Sequence, residues 1–464
     1  MGDVVARARV EEVAASYLRL DPGGRAELFA LVAEQAGLDV NGVNLAVAAF
    51  EATAHRPTGA VPASPAEVAR AAAALRAALH PGWERLFRLL CSLDGGVKLA
   101  VDLRADLLGV LADARHAEPG EAVADPALMA CLDDDLKAVL KSSVDLGLLE
   151  LRRVTWDTSA SFLEKLIRYE AVHAITSWED LKNRLRGDRR CYAFVHPGLP
   201  DEPLIFVEVA LVDGMSDRIG PLLDLASPVG EASGADTAIF SSISACQEGL
   251  SGISLGDFLI KRVVGDLRRD LPGLRRFATL SPVPGFRSWM AACLASEPGV
   301  LLELLDADQR RALADHSPGR APGQVSGHAA DQGPRERPHE VTDSETTPDG
   351  VEGLAAIAAD PAWPSHPDAV EPLRPVILRL AAHYLTKVRR DGHSADPVAH
   401  FHLSNGARIE RINWAANRSP LGVQESLGVM VNYAYDPERI EANHMDYRRR
   451  GRVVTSSAVG RLAG

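Results

Sequence analysis

From the amino terminus to about Arg186, apolar residues recur three and four positions apart, as in GRAELFALVAEQAGL and GWERLFRLLCSL, with proline and glycine between the runs. That period predicts a domain built wholly of helices. Near Arg189 the texture changes: RRCYAFVHP and PLIFVEVALV are short runs rich in β-branched and aromatic residues, bounded by proline and glycine, and they predict strands. TAIFSSISA predicts a further strand, LGDFLIKRVVGDLRRDL a helix closing near Pro272 and Gly273, and RRFATLSPVPG a strand that runs into a rigid turn. Strand, helix, strand in that order calls for an α/β unit with mixed or parallel pairing. Later, EPLRPVILRLAAHYLTKVRR has the spacing of an amphipathic helix, and ARIERINWA and LGVMVNYAY return to strand texture.

Between His316 and Gly350 the only large aliphatic residues are Val325 and Val341, too few to repay the entropy of ordering the segment. A disordered insertion at about 314–350 is therefore expected. No internal period of twenty to fifty residues is present, which excludes solenoids and propellers. The expected fold is a two-domain α+β/α/β chain, with an all-helical unit over 1–187 and a mixed-sheet unit over 188–464. The helical unit, poor in aromatics and in clustered polar groups, reads as a scaffold that assembles homo-oligomers, as dimer or tetramer.

Composition narrows the function. A net charge of -13 over 464 residues argues against a broad nucleic-acid surface, which needs clustered Lys and Arg. The five cysteines, Cys91, Cys131, Cys191, Cys246 and Cys293, form no C-x-x-C pair, so reduced thiols in a cytoplasm are expected and no zinc site is written. The opening MGDVVARARVEEVAASYLRL is amphipathic and carries acids, unlike a signal peptide or a membrane span, and the closing RLAG is not a peroxisomal address.

Four segments could carry chemistry. QEGLSGISLGD, Gln247 to Asp257, is a glycine-bearing loop that opens a helix, where backbone N–H groups favour an anion. Within it Gly252 to Gly256 also fits G-x-S-x-G, the nucleophile elbow of hydrolases, with Ser254 as nucleophile. However, about ten residues separate the expected strand end near Ser244 from Ser254, where an elbow turns directly off its strand. TLSPVPGF places Ser281 ahead of two prolines that stiffen the turn. HFHLSNGA brings His400, His402 and Asn405 to the mouth of a strand; two histidines could bind metal there only with a third ligand, and none is near. LGVMVNYAYDP ends a strand in Tyr433 and Tyr435, which packing alone would also explain.

Taken in order, TAIFSSIS, GLSGISLGDFLIKRVV, LSPVPGF, FHLSNGARIERINWAA and GVMVNYAY resemble the malonyl-CoA decarboxylase family, as do WEDLKNRLRGDRRCYAFVHP and PLIFVEVAL. The likeness covers most of 173–464 outside the insertion. It implies a catalytic domain like that of the GNAT acyltransferases, acting on malonyl-CoA to give acetyl-CoA and carbon dioxide without a redox or metal cofactor. It implies that Ser251, Gly252, Ile253, Ser254, Leu255, Gly256 and Asp257 receive the CoA pyrophosphate. It also implies that Ser281 and His402 are catalytic, with His402 as proton donor. The family labels its serine a proton acceptor, but an unactivated hydroxyl is a poor base, so an orienting role is expected of Ser281. Tyr435 matches a tyrosine that could face substrate. Lys261 and Arg262 are near enough in sequence to be suspected of holding the adenosine phosphates. Rival readings are an acyl transferase of the same fold, a CoA-binding regulator without chemistry, and a Ser254 hydrolase.

Overall fold

The computed structural model describes residues 2–55, 61–116, 125–253, 256–315, 350–359 and 370–464. The expected insertion at about 314–350 falls almost wholly outside them, as do Ser254 and Leu255.

Up to Ser143 the described residues fold as helices, as their 3.6-residue period requires. The helices Gly96–Ala114 and Pro126–Ser143 form its centre, burying Ala100, Val101, Leu107, Leu132, Leu136 and Leu140. Asp125 caps the second, followed by Pro126 in the first turn. No helix among the described residues is long and apolar enough to cross a membrane.

The carboxyl-terminal half is built on one twisted sheet. Its strands are β1 (Glu150–Val154), β2 (Arg189–Val195), β3 (Ile205–Val212), β4 (Thr237–Ala245), β5 (Arg276–Thr279), β6 (Ser281–Pro282), β9 (Arg408–Asn413) and β10 (Met430–Ala434). Two short strands, β7 (Arg389–Arg390) and β8 (His393–Ser394), pair apart from it. The order is β1-β2-β3-β4-β5-β10, with β6 and β9 also on β10. All pairings are antiparallel except β4 with β5. The all-helical amino-terminal and mixed-sheet carboxyl-terminal architecture is thus as expected.

Two expectations need correction. The sheet begins at β1, well before the boundary set at 187, and the helices Ala160–Tyr169 and Trp178–Arg184 lie inside the sheet unit. The sequence ELRRV hides this strand because it sits at an edge with only Val154 buried, so polar residues are tolerated on both faces. The second concerns HFHLS, which is helix (Pro397–Ser404) and not the mouth of a strand. Asp396 at its N-cap, Pro397 in its first turn and Asn405-Gly406 after it are helix boundary signals, and they override the short apolar alternation.

The halves share a single apolar core that runs from Val101 and Leu107 through Leu250 and Ile253 to Phe194 and Val207. The turn Glu248–Leu250 lies directly on the Gly96–Ala114 helix. A Cβ on Gly249 would sit 1.8 Å from the Val101 carbonyl oxygen, so only glycine allows this approach.

Candidate active site

The strands β4 and β5 run side by side from Thr237 to Phe240 and then part, since β4 continues to Ala245 while the chain after Thr279 turns to pair with β10. The register of β4 against β3 also shifts between Phe240 and Ser242, leaving Ser241 as a bulge where the strands diverge. A cavity of about 280 Å³ opens in the fork. Ser241, Ser242, Ile243 and Ala245 form one side, and Ser281, Pro282, Pro397, Val398, Phe401 and His402 the other.

Ser281 and His402, 121 positions apart, meet here. Ser281 Oγ lies 3.0 Å from His402 Nε2 and 2.9 Å from Thr279 Oγ1. On the far side of the ring, Tyr435 Oη lies 2.8 Å from His402 Nδ1. Tyr433 stacks on the same imidazole with ring centroids 4.5 Å apart. Ser281 is 7 % exposed and His402 3 %. Burial pushes the imidazole down from its ordinary value to about 3, so it is neutral at physiological pH.

With Tyr435 O–H donating to Nδ1, the neutral ring carries its proton on Nε2, facing Ser281 and the cavity. Nε2–H then donates to Ser281 Oγ, whose own hydroxyl donates to Thr279 Oγ1. Thr279 Oγ1 also accepts the Tyr433 backbone N–H. A four-residue chain therefore runs from phenol to hydroxyl through the imidazole.

Asp396 ties together the two segments that bear the pair. Its carboxylate accepts from Ala399 N at 2.9 Å, capping the His402 helix, and from Gly285 N at 3.3 Å, in the turn that follows Ser281. Burial, opposed by these backbone N–H groups, raises its pKa to about 6.

The remaining sequence candidates disperse. Tyr435, for which the sequence leaves packing and a substrate-facing role both open, is buried behind His402 and touches its ring. His400, two residues before His402 on the same helix, turns away from the pair, and its Nδ1 lies 2.9 Å from Tyr447 Oη. Among the described residues no group of three His, Cys, Asp or Glu is arranged to hold a metal. Arg262 donates to the Leu149 carbonyl at 2.7 Å and lies over the Phe194 ring, and Lys261 pairs with Glu441, so each suspected phosphate cation has a partner within the chain. Within the loop, Ser251, Gly252 and Ile253 follow the turn Glu248–Leu250, and the helix starting at Gly256 follows them. β4 ends at Ala245, ahead of that turn, so Gly252 does not stand at a sharp elbow off a strand.

Sequence reasoning missed Thr279, Asp396 and Arg104. Thr279 stands two positions before Ser281, the spacing that shares a strand face, and Asp396-Pro397 is a helix-start signal. Arg104 carries no local signal. It is 2 % exposed, pairs with Asp133, and donates through Nη1 to the carbonyls of Gly249 at 2.7 Å and Ser251 at 2.8 Å.

A helical domain packed on a mixed sheet, with a buried serine and histidine in the fork of parting parallel strands, defines an enzyme. Residues 25–143 match the malonyl-CoA decarboxylase N-terminal domain and residues 147–463 the malonyl-CoA decarboxylase C-terminal domain. The chain belongs to the malonyl-CoA decarboxylase family. It is 36% identical over 373 residues to the mitochondrial malonyl-CoA decarboxylase of Anser anser anser, covering 80% of this chain and 67% of that one. With the mitochondrial enzyme of Rattus norvegicus it shares 35% over 378 residues, covering 80% and 69%. The crystal structure of malonyl-CoA decarboxylase from Rhodopseudomonas palustris superposes with a TM-score of 0.80 at 36% identity, covering 99% of this chain and 96% of that one. That from Agrobacterium vitis gives 0.79 at 34%, covering 100% and 96%.

Proposed function

We propose that this enzyme converts malonyl-CoA to acetyl-CoA and carbon dioxide, with Ser281 and His402 meeting the malonyl end of the substrate. The observation that carries the reading is the 3.0 Å approach of these two side chains inside the fork. Among the described residues the cavity wall also holds no lysine or arginine. A carboxylate placed against Val398, Phe401 and Ile243 loses its hydration without gaining a counter-ion, and its departure as neutral carbon dioxide relieves that cost. A cation beside it would instead stabilise the ground state.

The bond between the carboxylate carbon and the α-carbon breaks, and its electron pair spreads onto the thioester carbonyl as an enolate. The α-carbon of that enolate then takes a proton. No redox or metal cofactor is needed, because the thioester carbonyl accepts the electrons. His402 Nε2–H is the donor, and Tyr435 O–H supplies Nδ1 as Nε2 loses its proton; the negative charge of the enolate then rests on the Tyr435 oxygen until a proton from solvent restores the pair. A thioester enolate is basic enough at carbon for a neutral imidazole to act as its acid. Ser281 orients the malonyl group by hydrogen bonding, and Thr279 holds the Ser281 hydroxyl. Beyond Phe240, β4 has no parallel neighbour among the described residues, so its outward backbone groups can pair with the pantetheine amides as an added strand would.

Purified protein incubated with malonyl-CoA and no acceptor should yield acetyl-CoA and carbon dioxide in equal amounts. Release of free CoA would replace the reading by a hydrolase, and tight binding without any product by a CoA sensor.

A further inference from the structure

The cavity that holds Ser281 lies beside a second of about 750 Å³, the two sharing Ile205, Ala245 and Phe401 in their walls. One wall of the larger space comes from the helical domain, through Ala105, Leu108 and Gly109 of the helix Gly96–Ala114. Facing it, the helix Ile440–Arg450 contributes His444 and Arg448. Among the described residues Glu248 is the one acid on its lining.

Arg448 lines this cavity and Lys137 lies against Gly252, which also lines it, and among the described residues neither cation has a counter-ion. Lys137, on the helix Pro126–Ser143, reaches the loop at Gly252, where a Cβ would lie 2.7 Å from Nζ. Gly252 has φ +73°, so the chain turns there in a conformation that keeps the lysine's approach open. Among the described residues, neither Lys137 nor the exposed Arg448 forms an ion pair or a side-chain hydrogen bond. The neighbouring cations behave differently: Arg104 is paired with Asp133, Lys261 with Glu441, and Arg262 donates to a backbone carbonyl. In a chain of net charge -13, carboxylates are abundant, so a half-buried lysine left without one has a place for an anion that arrives from outside. A CoA thioester carries its phosphates at the end remote from the reacting carbonyl, and the larger cavity adjoins the Ser281 cavity without being lined by Ser281 or His402.

We propose that Lys137 and Arg448 bind the phosphate groups of the CoA moiety, so that the helical domain supplies part of the substrate site. This rests on the thioester reading of the fork. Arg104 then has a supporting part, since it fixes the Gly249 and Ser251 carbonyls and with them the loop against which Lys137 lies.

The test compares malonyl-CoA with malonyl-pantetheine, which lacks the nucleotide phosphates, using the full chain. In the wild type, kcat/KM should favour malonyl-CoA. That preference should shrink about tenfold in Lys137→Gln and again in Arg448→Gln, the loss of one charge-assisted hydrogen bond each, while Lys137→Arg keeps most of it. An unchanged preference in both Gln variants, or an equal loss on both substrates, would overturn the proposal. Arg448 is exposed, so its variant remains informative even where Lys137→Gln fails to fold. Calorimetric titration with CoA reads the same site without turnover. A protein that makes no acetyl-CoA yet binds CoA through Lys137 keeps the phosphate site and loses the decarboxylase reading. Decarboxylation with CoA affinity indifferent to both Gln substitutions does the reverse.

Discussion

Tyr435 holds His402 from behind: its hydroxyl lies 2.8 Å from Nδ1, with Tyr435 2 % exposed and His402 3 %. Neither group can exchange the other for bulk water. The contact decides which ring nitrogen carries the proton, and therefore whether a donor faces the substrate.

Tyr435→Phe removes that decision. The ring is then free to place its proton on Nδ1, and kcat should fall by about a hundredfold, the scale of a general-acid contribution, with KM little changed. The buried nitrogen left without a partner should lower stability by about 1–3 kcal/mol. Steady-state kinetics with thermal melting separates the two effects; a melting shift without a kcat loss would reduce Tyr435 to a packing residue.

The Asp396 carboxylate should set an acid limb in the rate. Ionised, it accepts from both Ala399 and Gly285; protonated below about pH 6, it loses acceptor capacity and the Ser281 turn loosens from the His402 helix. Asp396→Asn keeps one acceptor oxygen and should lower kcat while removing that limb, as a pH–rate profile would show.

Stability carries the same groups with opposite signs. Asp396 holds its proton more tightly in the folded state, so its contribution is full below about pH 4 and is lost as pH rises through about 6. His402 binds its proton less tightly when folded, so its contribution is full above about pH 6.5 and is lost as pH falls toward 3. Denaturant midpoints measured from pH 4 to 7 should therefore rise more steeply in Asp396→Asn than in the wild type.

Arg104→Met should leave Asp133 and two loop carbonyls without their donor, at a cost of about 3–5 kcal/mol. Because the same side chain holds the Gly249–Ser251 loop, KM for malonyl-CoA should rise in parallel. Unfolding curves and initial rates on one preparation test both.

Much of this was legible in the residues. The strands TAIFSSISA, RRFAT and LGVMVNYAY stand where the pattern predicts them, and the structure brings Ser281 and His402, which the resemblance implies are catalytic, within 3.0 Å of each other. β1 escaped because an edge strand needs no apolar alternation. The His402 helix was hidden by a short FHL run that reads equally as strand. Arg104, Lys137 and Asp396 act across 145, 115 and 111 positions, and no local period or motif records which carbonyl, glycine or turn a distant side chain will meet.

The pairing of Ser281 with His402 is the centre of the account, and one comparison tests it most directly. Turnover of malonyl-CoA and calorimetric affinity for CoA should be measured together in Ser281→Ala and His402→Ala. Turnover should fall by about a hundredfold or more in each while CoA affinity stays within about twofold. Near-wild-type turnover in either variant, or a loss of CoA binding as large as the loss of rate, would contradict it.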